Sequence, residues 1–338
     1  MNFAIVGCGH IAKKHADAIQ AAEGATLFAV CDTVSEKMEP FVIDYGVEAF
    51  DDFSKLLAND NVDVINICTP SGFHGDLAVQ AAAAGKHIVV EKPIALTLED
   101  SQRIIDACKE NNVKLSVVHP NRFRPVMMEI KELMNQGKIG KLSHANATVR
   151  WNRNQAYYDQ APWRGTKSLD GGVLMNQAIH NLDLILWLMG DVEEVYSMSA
   201  TRLRDIEAED VSTGVIRFKN GSLGIIEAAT TIYPKNLEET ISLFGETGSV
   251  KIGGTTATLF EHLTIEDLND EESNTLIEKV KADPFGKPGH QWIIEDMVKA
   301  IEEDREPVVT GEDGKKALAL VLALYDSAET NTPVKVLD

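Results

Sequence analysis

Residues 3–12 read Phe3-Ala4-Ile5-Val6-Gly7-Cys8-Gly9-His10-Ile11-Ala12 and continue as KKHADAIQAA. The run FAIVG has the length of a buried strand, and the continuation has helical periodicity. Between them Gly7, Gly9 and Ala12 fit the spacing GxGxxG/A, with His10 and Ile11 completing the turn. Glycines there let a strand turn sharply into a helix and let backbone amides approach a pyrophosphate at the helix N-terminus. A single match of this kind is weak, so its context decides. A second apolar run, TLFAVCD, ends at Asp32, twenty residues after Ala12, where a carboxylate binds ribose hydroxyls. The same charge repels a 2′-phosphate, and no Arg follows it directly. The pattern predicts NAD rather than NADP.

Outward from this turn the alternation continues. A helical SEKMEPFVIDYG, interrupted at Pro40, is followed by VDVINICTP, GDLAVQAAAAG, HIVVEKP, TLEDSQRIIDACKENN and KLSVVH, ending at His119. Continuously apolar strands alternating with helices predict an α/β first domain over residues 1–119, a doubly wound parallel sheet covered on both faces. After the helical PVMMEIKELMNQGKIG the texture changes. SHANATVRW, VEEVYSMSATRL, DVSTGVIRF, GSLGIIEAATTI, EETISLFGETGSVKIGG and ATLFEH alternate polar and apolar residues, with hairpin-like KNGS and GETGS turns. Residues 120–338 are therefore expected to form an α+β domain with a large, mostly antiparallel open sheet. The polar segment 264–290 reads as a surface excursion. The helical QWIIEDMVKAIEED and GEDGKKALALVLALYDSAET close the chain, and these last helices can pack back on the first domain.

Bulk properties narrow the function. The chain has 338 residues, enough for two cores, and a net charge of −20 from 32 Lys+Arg against 52 Asp+Glu. Such an acidic surface argues against nucleic-acid and anionic-membrane partners, though local arginines can still hold an anionic substrate. No stretch is long and apolar enough for a membrane span, and the first residues show no basic stretch followed by a long apolar run, so no export signal is expected. Cys8, Cys31, Cys68 and Cys108 form no CxxC pair and read as buried reduced thiols. A cytoplasmic location is the expectation.

Three groups of residues carry chemistry. Glu91-Lys92-Pro93 ends an apolar strand, and in a doubly wound sheet strand C-termini face the ligand crevice. A partly desolvated Lys92 there suits proton transfer, although read alone it is more often an exposed strand-end lysine. Arg150, Arg153, Tyr157, Tyr158, Trp163 and Arg164 form a cluster in RWNRNQAYYDQAPWRGT; guanidinium forks suit carboxylate or phosphate, and rings suit sugars and bases. In GVLMNQAIHNLD, Asn176, His180 and Asp183 stand four and three apart, which places them on one helical face. One histidine and one carboxylate are too few for a metal site, so no metal is expected. A satisfied core histidine is the plain alternative for His180.

Taken together and in order, the GxGxxA turn, EKP, Asn121-Arg122-Phe123 and the WRGT, DGG and HxxD block resemble the glucose–fructose oxidoreductase / inositol dehydrogenase (Gfo/Idh/MocA) family, across nearly the whole chain. That resemblance implies a Rossmann domain, a second domain whose open sheet serves oligomerisation (a homodimer or homotetramer), and nicotinamide-dependent oxidation of a secondary alcohol on a sugar or cyclitol. Lys92 and His180 match the family's active-site lysine and histidine. Asn176 stands where many members have Asp. With Gln177 and the preceding arginine-rich segment, it is similar to the UDP-N-acetylglucosaminuronate 3-dehydrogenase branch.

The implied site has NAD over Gly7, Gly9, His10, Ile11 and Ala12 with its ribose on Asp32. Thr69, Pro70, His74, Glu91, Lys92, Asn121, Trp163 and Arg164 are expected to add cofactor contacts. Substrate contacts are expected from Arg122, Arg150, Tyr157, Tyr158, Arg164, Asn176, Gln177, His180 and His290. His180 would accept the hydroxyl proton with Lys92 assisting, while Asn176 orients the sugar or the imidazole. Asp183 would buttress His180 or the fold rather than touch substrate. Two other classes stay open: a redox-neutral NAD-dependent glycoside hydrolase of the same family, and a non-catalytic NAD sensor. A dehydrogenase of a free sugar or inositol is the alternative within the dehydrogenase reading.

Overall fold

A computed structural model describes residues 1–337. The chain divides into two compact units, Met1–Pro120 with Lys287–Lys315, and Asn121–Gly286 with Lys316–Asp338. The division differs from a single cut near residue 120. Residues 287–315, including the helix Gly289–Glu302, belong with the N-terminal unit.

In the first unit, strands β1 (Asn2–Val6), β2 (Thr26–Cys31), β3 (Glu48–Phe50), β4 (Val64–Ile67), β5 (His87–Val90) and β6 (Leu115–Val117) form one sheet in the order 3-2-1-4-5-6. Every neighbouring pair is parallel. The apolar runs are continuous because helices cover both faces; Phe3, Ala4 and Ile5 are fully buried, as are Val64, Ile65 and Ile67. Sequence order reverses between β1 and β4, so the crevice beyond their C-terminal ends is the topological switch point where such sheets bind ligands. Helix Ser35–Tyr45 runs through Pro40 without interruption. Proline removes one intrahelical hydrogen bond there, to the carbonyl of exposed Glu36, which water can satisfy.

In the second unit, β7 (Leu142–Arg150), β8 (Val192–Ala200), β9 (Val211–Phe218), β10 (Leu223–Ala229), β11 (Glu238–Gly245), β12 (Gly248–Gly253), β13 (Leu259–Ile265) and β14 (Val334–Lys335) form a sheet in the order 13-12-11-7-10-9-8-14. All neighbours are antiparallel except β7 and β10. Helix Ile179–Met189 packs on β7, whose Ala145, Ala147 and Val149 are buried, two of them small enough to let the helix approach. On the opposite face Val215 lies across from Ile225, and both are about half exposed, together with Leu223 and Met198. The polar segment after β13 holds the helix Asp270–Ala282. It is started by a capping box in which Asn269 accepts from Glu272 N and Glu272 accepts from Asn269 N.

Candidate active site

The glycine turn is built against the end of β4. Gly7 has φ +92°, and a Cβ there would stand 2.8 Å from Thr69 N and 2.9 Å from Cys68 O. Gly7 therefore serves both the turn and the close approach of two strand ends. Gly9 has nothing within 4 Å of a Cβ position, so it opens space at the start of helix His10–Ala21. That helix has no side-chain N-cap and no acid in its first turn, which leaves its N–H groups and positive dipole end for an anion. His10 is exposed, Ile11 half-buried and Ala12 buried. The Asp32 carboxylate accepts from Cys8 N at 2.8 Å and Val34 N at 2.9 Å. These bonds fix it beside the turn and leave acceptor capacity for a vicinal diol. An open glycine, an uncapped helix end and a fixed carboxylate together fit a dinucleotide.

Beyond β5, Lys92 is half-buried and Glu91 is buried beneath it. Glu91 Oε2 accepts from Lys92 N at 3.1 Å, and Oε1 accepts from His15 Nε2 at 3.0 Å. His290 Nε2 lies 3.4 Å from the same Oε1, and the two histidine rings meet edge to face. Asn66 Nδ2 is 2.8 Å from His15 Nδ1, so that nitrogen accepts and Nε2 carries the proton. Burial pushes the Glu91 carboxyl up, but the hydrogen bonds and charge of His15 and His290 outweigh it and hold it well below the usual range. Burial also lowers His15, against the hydrogen bond and charge of Glu91. His15, Glu91 and His290 place three potential ligand atoms within 4.8 Å of one another, as a cation site would. Both nitrogens of His15 are committed to Asn66 and Glu91, whereas His290 Nε2 makes no aligned hydrogen bond.

Two expectations in this unit need correction. His74 does not line a cofactor crevice: it is fully buried, with Nδ1 2.9 Å from Pro93 O and Nε2 3.0 Å from Thr69 O. It ties together the loops after β4 and β5, which include half-exposed Thr69 and Pro70. His290 belongs to the Glu91 cluster rather than to the arginine-rich unit.

In the second unit, the segment that carries the candidate acid–base residues begins as a π-helix, Leu174–Ala178, and continues as the α-helix Ile179–Met189. Wide π turns are rare and concentrate at functional sites. From Gly171 to Ile185, Asn176 and His180 are the two residues that are not buried. Asp183, one turn on, is 1% exposed and takes a two-pronged ion pair from Arg122, with Nε to Oδ2 at 2.9 Å and Nη2 to Oδ1 at 2.5 Å. Arg122 is thus a buried anchor for the helix, and its guanidinium also lies over Trp187.

The segment is pinned at its start. Glu209 accepts from Leu174 N at 2.8 Å and from Tyr325 Oη at 3.0 Å, and its carbonyl accepts from Val173 N. A Cβ on Gly172 would fall 2.0 Å from Glu209 Oε2, so glycine is required for this closure. Burial raises the Glu209 carboxyl to about 7. Asp170, 2% exposed, accepts from Gly165 N at 2.7 Å through Oδ2 and from the Asn176 amide through Oδ1.

The arginine–aromatic cluster separates into two sets. The Arg164 guanidinium lies 4.4 Å from the Tyr157 ring centre and 4.7 Å from that of Trp163, and donates to Tyr157 Oη at 2.7 Å. Arg153 stacks over Trp151 and Tyr157. Among the described residues Arg164 pairs with no carboxylate of its own unit, and its Nε has no hydrogen-bond partner. By contrast Arg150 is held by Glu227 and Glu238 on the sheet, which neutralise it. Tyr158 is buried with its hydroxyl 3.3 Å from Thr230 Oγ1. Gln177 is buried in the helix, and Asn121 is buried and directs its amide to Glu239 at 3.4 Å. Arg150 is thus neutralised on the sheet, while Tyr158, Gln177 and Asn121 are buried in the second unit. His15, Asp170 and Glu209, which hold the candidate residues in place, were not singled out from sequence; Asp170 alone carried a signal, as the acid of the DGG turn.

The oxidoreductase family with an NAD-binding Rossmann fold (GFO_IDH_MocA) matches residues 1–119, and the GFO/IDH/MocA C-terminal domain matches residues 127–251. The chain belongs to the Gfo/Idh/MocA oxidoreductase family. As a member it is an NAD-dependent enzyme acting on the CH–OH group of sugars, and NAD is its cofactor. The solved WlbA dehydrogenase from Bordetella pertussis, in complex with NADH and UDP-GlcNAcA, is similar with 36% identity and a TM-score of 0.94, covering 100% of this chain and 98% of that one. The myo-inositol 2-dehydrogenase of Thermotoga maritima is 29% identical over 354 residues, 99% of this chain and 98% of the relative. The scyllo-inositol 2-dehydrogenase (NAD(+)) of Bacillus subtilis is 26% identical over 98% of this chain and 95% of the relative. No described helix of this family member is long and apolar enough to cross a membrane.

Proposed function

We propose that this Gfo/Idh/MocA enzyme oxidises the C3 hydroxyl of a nucleotide-sugar acid of the UDP-N-acetylglucosaminuronate type. The observation that carries the reading is the pairing, within one unit, of two accessible helix residues, Asn176 and His180, with an Arg164 guanidinium stacked on Tyr157 and Trp163. A stacked guanidinium without a carboxylate partner suits an anionic group, and the rings suit a base or sugar. Likeness to WlbA at 36% identity supports the same choice.

NAD⁺, which the Gly7–Ala12 turn and Asp32 would hold, would supply the hydride acceptor for oxidation of the sugar carbon to a ketone, a reaction that also releases the hydroxyl proton. His180 takes that proton from the hydroxyl, and Lys92 stabilises the developing alkoxide. Asn176 orients the sugar, and Asp32 with the Gly7–Ala12 turn holds the dinucleotide. Of the remaining cofactor candidates, Thr69, Pro70 and Trp163 are half-exposed, whereas Glu91 acts through Lys92. The apolar sheet face around Val215, Leu223, Ile225 and Met198 supports a homo-oligomer, and the four buried, unbridged cysteines suit the cytoplasm.

The test is NAD⁺ reduction followed at the NADH absorbance band with UDP-sugar acids, free hexuronic acids and inositols. Net NADH with a UDP-sugar acid supports the proposal. Activity only on a free polyol, as the inositol dehydrogenase relatives would predict, overturns the substrate. Cleavage of an aryl glycoside without net NADH would instead indicate the redox-neutral hydrolase.

A further inference from the structure

Three side chains from distant parts of the chain converge on Glu91. His15 lies on helix His10–Ala21, Glu91 follows β5, and His290 stands in the first turn of helix Gly289–Glu302, all in the first unit. The side chains of His15, Glu91 and His290 are 1%, 8% and 16% exposed. His15 Nε2 and His290 Nε2 stand 3.0 Å and 3.4 Å from the same oxygen, Glu91 Oε1, and one ligand atom of each residue lies within 4.8 Å of the other two. Ligand atoms bound at about 2.0–2.1 Å to a tetrahedral ion stand roughly 3.3–3.4 Å apart, so both spacings suit edges of such a set.

Hydrogen bonding leaves part of this cluster unaccounted for. His290 Nε2 is buried and makes no aligned hydrogen bond, so its nitrogen axis points beside Oε1 rather than at it. Fully buried Asn66 gives Nδ2 to His15 Nδ1 and leaves its own Oδ1 without a partner. Asn66 can serve either tautomer of His15. With the amide turned half round, Oδ1 accepts from a protonated Nδ1, and the Nε2 lone pair is released toward Glu91. A histidine whose far nitrogen is held by a carbonyl oxygen is the usual outer-shell arrangement of a metal-bound imidazole.

We infer that His15 Nε2, Glu91 Oε1 and His290 Nε2 form a binding site for a divalent transition metal of the zinc class, with a fourth position left to water. The site goes beyond the substrate reading above and does not depend on it. Two imidazoles with one carboxylate suit Zn²⁺ and Co²⁺, whereas Mg²⁺ and Ca²⁺ take oxygen ligands. The ion takes the place of the proton between His15 and Glu91. That proton moves to Nδ1 and is held by Asn66 Oδ1, so a neutral His15 keeps its proton count. Glu91 Oε2 remains with Lys92 N. Because all three ligands are largely buried, the ion is a clasp rather than a centre that presents water to substrate. It fastens helix Gly289–Glu302 to helix His10–Ala21 and to the end of β5.

The test uses the full chain, stripped of metal with a chelator and then titrated with Co²⁺ by visible absorption and with Zn²⁺ by calorimetry. One equivalent per chain is expected, with the strong visible bands of four-coordinate cobalt, and Zn²⁺ should raise the unfolding midpoint. His290→Ala should lose both the bands and the rise, with its folding checked by thermal unfolding without metal. His290→Gln, which keeps a polar side chain but no imidazole, should do the same. Asn66→Leu removes only the support behind His15 and should weaken binding roughly 10- to 100-fold. His262→Ala, at an exposed histidine on β13, should bind as wild type does. Wild-type protein that takes up neither ion, or that binds cobalt only in six-coordinate form, overturns the site. Full binding by folded H290A or H290Q places the ion elsewhere and overturns it as well.

Discussion

Glu91 joins His15 to the backbone of Lys92: one carboxylate oxygen accepts from His15 Nε2 at 3.0 Å and the other from Lys92 N at 3.1 Å. Both partners are donors, so the group between them must accept at both ends. Glu91→Gln keeps the shape but sets an NH₂ against one donor whichever way the amide turns. One buried donor pair then clashes, at a cost of about 1–3 kcal/mol. The expected result is a drop in unfolding midpoint and a 10- to 100-fold fall in kcat, by about 1.4–2.7 kcal/mol of barrier, with NAD affinity within a few-fold. An unchanged kcat in stably folded E91Q would show that Glu91 does not hold Lys92.

Lys92 and His180 carry the acid–base step in the proposed mechanism. Lys92→Met and His180→Ala should each lower kcat by roughly 10²–10⁴-fold, the usual worth of general acid–base assistance. Cofactor affinity, read by quenching or calorimetry with NADH, should stay near wild type, because the dinucleotide is held by the Gly7–Ala12 turn and Asp32. Near-wild-type turnover in either variant would remove that residue from the mechanism. Loss of NADH binding would assign it to the cofactor instead.

The Arg122–Asp183 pair is an ion pair with 4% and 1% of its side chains exposed. Asp183→Asn leaves a guanidinium buried beside a neutral amide, and breaking such a pair commonly costs about 3–5 kcal/mol. Urea denaturation of D183N should show a midpoint lowered accordingly with an unchanged slope. If the midpoint moves by less than a few tenths of a molar, water or a neighbouring group already compensates Arg122.

Much of this arrangement is legible in the chain itself. Continuous apolar strands around Gly7-Cys8-Gly9 require a parallel sheet, and the alternation after residue 140 requires a sheet with one open face. The stripe of Asn176 and His180 is readable because polar residues four apart in an oily helix must find a common exit, and these two are the unburied positions of the segment. What the chain does not announce is pairing across distance. Arg122 and Asp183 stand 61 residues apart, and Arg150 and Glu227 stand 77 apart. An arginine in a cluster looks equally available whether or not a distant carboxylate neutralises it. His15 is similar: on helix His10–Ala21 it is one polar residue among several, and only the sheet order brings it to Glu91. The helix Asp270–Ala282 is not legible within a segment that reads as a surface excursion, because its polar composition masks the local signal of the capping box Asn269–Glu272.

Glu209 offers a pH signature that belongs to the second unit alone. Its carboxyl caps the start of the π-helix through Leu174 N, and burial raises it to about 7 against an ordinary value of 4.5. An acid whose folded value is raised binds its proton more tightly in the native state. Between about pH 4.5 and 7 the native protein therefore holds more protons than the unfolded chain, and stability falls as pH rises through that window. The contribution is fully present below the unfolded value and is lost above the folded one, an effect on the order of 3 kcal/mol for this nearly buried group. Glu209→Gln keeps an acceptor for Leu174 N and Tyr325 Oη but cannot titrate. Denaturation midpoints measured from about pH 5 to 8 should decline more steeply in wild type than in E209Q. Parallel profiles would mean that Glu209 stays charged across the range and that its two donors outweigh its burial.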